Sequence, residues 1–222
     1  IRYPQIQRPI LSATFILFGV PRVNTKLVKP EQEPKSFADL LKPEWQGKMV
    51  THDPNVSSSL YLYYVPLINA KVVDWDYVQA LSKQKQLMAP GPVQVGESLS
   101  RGEVPLAAAN GDSSMTSFAM EGAPIKAISL KEGDVDQVNG ASVIKGPHTN
   151  AGRVFVNWLL TEEGQTIYTK FKGISSVRKG LQDFRPVTSR AQYTRLVPAT
   201  AKDYTDGARL QRERFIIELW KK

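Results

Sequence analysis

Between residues 48 and 130 short apolar strand patterns alternate with helix-spaced segments, and this alternation constrains the fold more than any other feature of the chain. Lys48-Met49-Val50-Thr51 reads as a strand and Asp53-Pro54-Asn55 as a turn. Leu60, Tyr61, Tyr64, Leu67 and Ile68 recur at helical spacing, with Ser57 as N-cap and Pro66 expected to kink that helix or end it early. Asp74 caps a second helix carrying Trp75, Val78 and Leu81, and residues 93–101 predict a third. Residues 104–109 form a small-residue strand broken by Asn110-Gly111-Asp112. Residues 113–121 are a helix closed by Gly122, and 125–130 a further strand. Strands and helices that alternate in this way build a sheet covered by helices, so the predicted fold class is α/β.

The flanks are read the same way. Residues 10–20 suit a buried strand, since Ser12, Thr14 and Gly19 interrupt an apolar run already too short for the roughly 18–20 residues of a membrane span. Pro30 and Pro34 bracket a polar stretch, after which Ser36 caps a short helix with Leu40 and Leu41 that Pro43 ends. Residues 141–144 predict another strand. Asn150 caps a helix through Val154, Phe155, Trp158 and Leu159, and Thr161 caps the next, with Ile167 and Phe171 buried. From Asp206 the tail carries Leu210, Phe215, Ile216 and Leu219 in an amphipathic pattern.

Composition narrows the chemistry. The 222 residues contain no Cys, which excludes disulfides and thiolate metal sites. His52 and His148 are the only histidines, so a His-rich metal site is excluded too and a metal would need carboxylates or tyrosines. The formal charge of +8 is spread along the chain, with no Lys/Arg run interleaved with aromatics, which argues against nucleic acid as a partner. There is no G-x-S-x-G, no Walker loop and no H-E-x-x-H, and Ser57, His52 and Asp53 lie too close in sequence for ordinary triad geometry. A hydrolase is the low-ranking enzyme alternative, and the chain is expected not to be an enzyme. The opening Ile1-Arg2-Tyr3-Pro4 has no Met, basic segment or apolar segment of a leader, and reads as the middle of a longer protein.

Several phrases, in order, carry a resemblance. Pro34-Lys35-Ser36-Phe37-Ala38-Asp39-Leu40-Leu41-Lys42-Pro43-Glu44-Trp45-Gln46-Gly47-Lys48 is similar to "P-x-S-W-x-D-L-L-x-P-x-W-x-G-K" of type 2 periplasmic binding proteins. Asp53-Pro54 followed by Ser57-Ser58-Ser59 resembles their "D-P-x-x-S", and Gly102-Glu103-Val104 their "G-E-hydrophobic". Lys145-Gly146-Pro147-His148-Thr149-Asn150-Ala151 resembles "K-G-A-P-N-P-x-A", and residues 155–165 resemble "F-I-D-F-L-L-S-P-E-G-Q". The subgroup resembled handles ferric iron, with relatives for phosphonates, sugar phosphates, thiamine and polyamines.

The resemblance implies a type 2 periplasmic-binding-protein fold with one complete α/β lobe and part of a second. Residues 13–135 and 176–222 would form the second lobe, and 1–12 and 136–175 a remnant of the first. It also implies an extracytoplasmic or periplasmic solute-binding component of an ABC importer. Such a component takes a small-molecule ligand, works with a transporter permease, needs no cofactor and acts as a monomer closing by a hinge.

Ligands of open α/β sheets bind beyond the carboxyl ends of the strands. At one such end His52 runs through Asp53 into Ser57, Ser58 and Ser59, whose hydroxyls and helix-start N–H groups suit an oxygen-rich anion: an organophosphate, phosphonate or carboxylate. The plainer reading is that Ser57 only caps its own helix. At the second end, Asp112 and Ser113 stand where the ferric-binding subgroup carries two tyrosines, which speaks against tyrosine-type iron binding. Asp112 would suit an ammonium group, as in polyamines or thiamine, or cap the following helix. Tyr63-Tyr64 is the one adjacent pair, but neighbours on a helix point about 100° apart, which suits packing.

Overall fold

A computed structural model describes residues 12–56, 59–109, 112–190, 195–204 and 213–219. The chain runs through β1 (Ser12–Gly19), β2 (Arg22–Asn24), β3 (Met49–His52), α1 (Ser59–Asn69), α2 (Trp75–Ser82), β4 (Leu87–Ala89), α3 (Pro92–Arg101), β5 (Leu106–Ala107), α4 (Asp112–Met120) and β6 (Ile125–Ala127). It continues through β7 (Asp134–Ala141), α5 (Thr149–Leu159), α6 (Glu162–Lys172), β8 (Ser175–Ser176) and β9 (Leu196–Pro198).

These strands make two sheets. One has the order β4-β3-β5-β2-β6 and the other β8-β1-β7-β9. In the five-stranded sheet β3 runs parallel to both β4 and β5, while β2 is inserted antiparallel between β5 and β6. Strand alternation sends Val23, Met49 and Leu106 into a core with Leu60, Tyr64 and Leu67 of α1 and Val78 and Leu81 of α2. It sends Val50, Ala107 and Ile125 the other way, against Val95 and Leu99 of α3 and Met115 of α4. The result is a three-layer α/β/α unit, in which each fully buried Leu or Val contributes about 1.5–3 kcal/mol.

Two strands join the sheets. β1 leaves the four-stranded sheet and passes through Val20-Pro21 into β2, and β6 returns into β7. β1 and β7 pair antiparallel from Ser12↔Ala141 to Gly19↔Val135, and the Ile128 N–H donates to the Pro21 carbonyl at 3.1 Å where the two crossings pass. The tail then returns to the helices of the first core. Thr200 N–H and the Asn69 side-chain amide both donate to the Asp203 carboxylate, and Phe215 inserts beside Tyr64 and Trp75.

Several sequence expectations shift. The strand foreseen at 141–144 is instead β7, Asp134–Ala141. Its Asp, Gln and Asn residues are poor strand formers, but pairing along the length of β1 decides the conformation. The segment after Ser36 forms two 3-10 turns, Ala38–Leu41 and Pro43–Trp45, although Ser36 Oγ still accepts from the Asp39 N–H. Pro66 does not end α1, whose hydrogen bonding resumes with the Ala70 N–H on the Pro66 carbonyl. The strands expected at 104–109 and 125–130 shorten to β5 and β6, and α5 starts at Thr149, before Asn150. Ile167 and Phe171 are exposed rather than buried. The expected cap Ser57 and residues 206–212 of the tail lie outside the described residues.

Candidate functional site

The parallel strands β3, β4 and β5 end on one edge of the five-stranded sheet, and after them α1, α3 and α4 begin. Each helix start presents backbone N–H groups without intrahelical partners at the same edge. β3 reaches this edge as Thr51-His52-Asp53. The Asp53 N–H donates to the Ala89 carbonyl at 2.8 Å, which ties the ends of β3 and β4 together. The Asp53 carboxylate accepts from Asn55 N–H at 2.9 Å and from the Asn55 side-chain amide at 2.8 Å. It thereby folds the turn that aims the chain into α1, where Asn and Asp are favoured for this reason.

Of the residues singled out in the sequence, Ser59 opens α1, while Asp112 and Ser113 are the first two residues of α4. The register of β3 and β5, Val50↔Ala107, brings α1 and α4 to neighbouring strand ends. Ser57 and Ser58 lie outside the described residues. His52 is fully buried in β3, on the strand face it shares with Val50, toward α3 and α4. Thr51 faces the opposite core, and its Oγ1 is buried with no hydrogen-bond partner among the described residues.

Sequence reasoning missed Arg22. It sits in β2 opposite Ala107 and Ala127, is fully buried, and shares the α3/α4 side of the sheet with His52. A buried guanidinium persists only where charge and hydrogen-bond partners meet it. A charged residue directly after Val20-Pro21 and before Val23, inside an apolar stretch, was the available signal.

Tyr63 and Tyr64 sit in the core on α1, their rings meeting edge to face at 4.9 Å and 86°. Burial pushes both phenols above their ordinary range, so both stay protonated and make poor phenolate ligands. At the crossing, burial raises the Asp134 carboxyl to about 6 although the Ser129 hydroxyl donates to it. Burial raises Asp136, two residues on along the same strand face, as well.

The end of α6 packs against α4. Gly173, in the left-handed conformation at φ 61°, ends α6 against α4. A Cβ there would stand 2.6 Å from Thr116 Cγ2 and 2.8 Å from the Met120 sulfur. The close approach requires Gly twice over, for its φ and for its missing side chain. Among the described residues no helix is long and apolar enough to cross a membrane.

Residues 8–171 match the family model described as bacterial extracellular solute-binding protein. A comparison with curated proteins finds no match. Among solved structures the chain resembles the periplasmic binding protein AfuA of Actinobacillus pleuropneumoniae, with exogenous fructose-6-phosphate bound: TM-score 0.72, 17% identity, over 96% of this chain and 69% of that one. It also resembles iron-bound HitA of Pseudomonas aeruginosa (TM-score 0.68, 22% identity, 92% of this chain and 68% of that one). A third likeness is the substrate-binding protein of an ABC transporter from Agrobacterium tumefaciens (TM-score 0.74, 18% identity, 94% and 65%). The shared fold is the type 2 periplasmic-binding-protein fold, present here in part.

Proposed function

The chain belongs to the bacterial extracellular solute-binding proteins, the capture components of ABC importers, and from that premise we propose that its solute is a small oxygen-rich anion. An organophosphate, a phosphonate or a carboxylate fits the class. The protein acts outside the cytoplasm, in the periplasm where there is one, as a monomer that binds without turnover and delivers its solute to a permease. In this reading residues 13–135 with 176–222 form one lobe, 1–12 with 136–175 belong to the other, and the solute sits in the cleft between them.

One observation carries the reading. α1 and α4 begin at neighbouring strand ends, α1 at Ser59, the last residue of the sequence run Ser57-Ser58-Ser59. Helix-start N–H groups and hydroxyls are donors without positive side-chain charge, suited to anions by their partial charge. In this reading Asp112 and Ser113, the first residues of α4, and His52, the last residue of β3, belong to the same site. The fructose-6-phosphate in AfuA is an anion of the proposed class on the same fold.

Ferric iron is the second reading, favoured by the likeness to iron-bound HitA. Against it stand the absence of a tyrosine pair at Asp112-Ser113 and the burial of Tyr63 and Tyr64. A polyamine or thiamine, with Asp112 as counter-charge, is the third. A thermal-shift screen of the protein as encoded by its gene separates the three, because a ligand bound only by the native state raises the melting point. Stabilisation by phosphorylated or carboxylated solutes supports the proposal. Stabilisation by ferric iron, polyamines or thiamine alone overturns it.

A further inference from the structure

Lys and Arg residues occur along the whole chain, but their excess over acids does not. From Lys170 to Arg195 there are seven Lys and Arg residues and one acid, Asp183, so this stretch carries +6 of the formal charge of +8. The remainder of the chain is close to neutral. A solvated face of an ordinary domain mixes the two signs, which this stretch does not.

The fold draws part of the stretch together. α6 carries Lys170 and Lys172 in its last turn, and the chain beyond β8 turns back so that Lys170 Nζ lies 6.0 Å from the centre of the Phe184 ring. Beside Phe184, the Asp183 carboxylate is shared by two guanidiniums, Arg185 at 2.7 Å and Arg190 at 3.8 Å. One carboxylate cannot cancel both, and Lys170 adds a further cation. Arg185 is buried by its pairing, whereas Lys170, Lys172, Arg178, Lys179, Arg190 and Arg195 are exposed. Val187, which opens the 3-10 turn Val187–Ser189 between Arg185 and Arg190, is 78% exposed among them.

We propose that this basic stretch docks the protein on an anionic bilayer surface, with its exposed Lys and Arg side chains against lipid phosphates and Val187 among the headgroups. Three observations choose this partner. The cations are spaced over the end of α6, the segment after β8 and the 3-10 turn, which fits a plane of charge better than a point ligand. The cavities around Trp45 and around Trp75 are lined by none of them. An exposed apolar side chain amid Lys and Arg is what an anionic interface accepts, each cation there adding about fivefold in affinity. The family provides the surface, since an extracellular solute-binding protein hands its solute to a permease set in a bilayer. No solute enters the inference, so it stands or fails apart from the proposed ligand.

The test is co-sedimentation of the solute-free protein with vesicles of phosphatidylcholine alone and with vesicles in which a third of the lipid is phosphatidylglycerol. The expected result is a gain in binding on the anionic vesicles that weakens as salt rises. The triple variant Lys170→Gln, Lys172→Gln, Lys179→Gln should lose roughly 100-fold of that affinity. A second triple variant, Lys26→Gln, Lys29→Gln, Lys48→Gln, removes the same charge at exposed positions between β2 and β3 and should change it by less than about threefold. The absence of native Cys permits a further readout. An environment-sensitive dye on Thr188→Cys should shift to the blue on the anionic vesicles, while the same dye on Gln46→Cys, exposed before β3, should not. Equal binding to the two kinds of vesicle, binding to neither, or equal losses in the two triple variants overturns the proposal. Capture by soluble polyphosphate with none by the vesicles overturns it in favour of a soluble polyanion.

Discussion

The ring of Tyr63 lies so close to the backbone of Gly19 that a Cβ on that glycine would stand 2.6 Å from Cδ2 and 2.9 Å from Cε2 of the ring. Gly19 is the last residue of β1 and Tyr63 lies on α1, so this contact sets the first crossing strand against the helix that begins at the candidate site. Gly19→Ala is therefore expected to destabilise the protein by about 1–3 kcal/mol, the usual cost of forcing a methyl into a packed contact. Denaturant unfolding measures it. A change under about 0.5 kcal/mol, the range of an ordinary surface substitution, would mean that the approach is not tight.

The Tyr63 hydroxyl is buried with no hydrogen-bond partner among the described residues. Removing an unsatisfied buried hydroxyl while keeping the ring recovers a desolvation cost of about 1–3 kcal/mol at most. Tyr63→Phe should be neutral or stabilising, while Tyr63→Ala should cost about 3–5 kcal/mol through the cavity it opens. Clear destabilisation by Tyr63→Phe would reveal a partner for the hydroxyl.

How much of this was legible in the sequence depended on how local the cause is. Asp74 and Thr161 were readable as caps because each accepts from an N–H three residues on, at 2.8 and 3.1 Å. β7 was not, because its conformation is imposed by β1, more than a hundred residues earlier. The spacing of Ile167 and Phe171 led to the expectation that both are buried, and both are exposed, because spacing does not say which face of a helix the rest of the protein covers. At the site, the strand end before Ser59 and the helix start at Asp112 were legible from turn and cap chemistry. The burial of His52 and Arg22 was not, since it follows from which side of the sheet α3 and α4 occupy.

Asp134 gives a pH signature. Burial raises its carboxyl from 3.8 to about 6, so between those values the folded state holds a proton that the unfolded state has released. Stability contributed by this group is then greatest below about pH 4, declines as pH rises, and levels off above about pH 6. The total change is on the order of 2–3 kcal/mol. Asp134→Asn should flatten that decline and leave the variant relatively more stable at pH 7 than at pH 4. Parallel stability curves for the two proteins between pH 4 and 7 would place the Asp134 carboxyl elsewhere.

The serine segment carries the proposed anion contact. One hydrogen bond to a charged partner is worth about 1.5–3 kcal/mol. Ser58→Ala and Ser59→Ala should each weaken binding of the anionic solute by roughly tenfold or more in the protein as encoded by its gene, with the melting point of the solute-free protein nearly unchanged. Titration calorimetry on the two variants reads this, and unaltered affinity in both removes these hydroxyls from the site.

The most direct measurement of the central claim is calorimetric titration of the same protein with phosphorylated, phosphonate and carboxylate solutes, followed by chemical analysis of the recovered solute. The account predicts saturable binding of one anion per protein molecule and recovery of that solute chemically unchanged. Steady conversion of the solute to product, or saturable binding confined to cations, would contradict it.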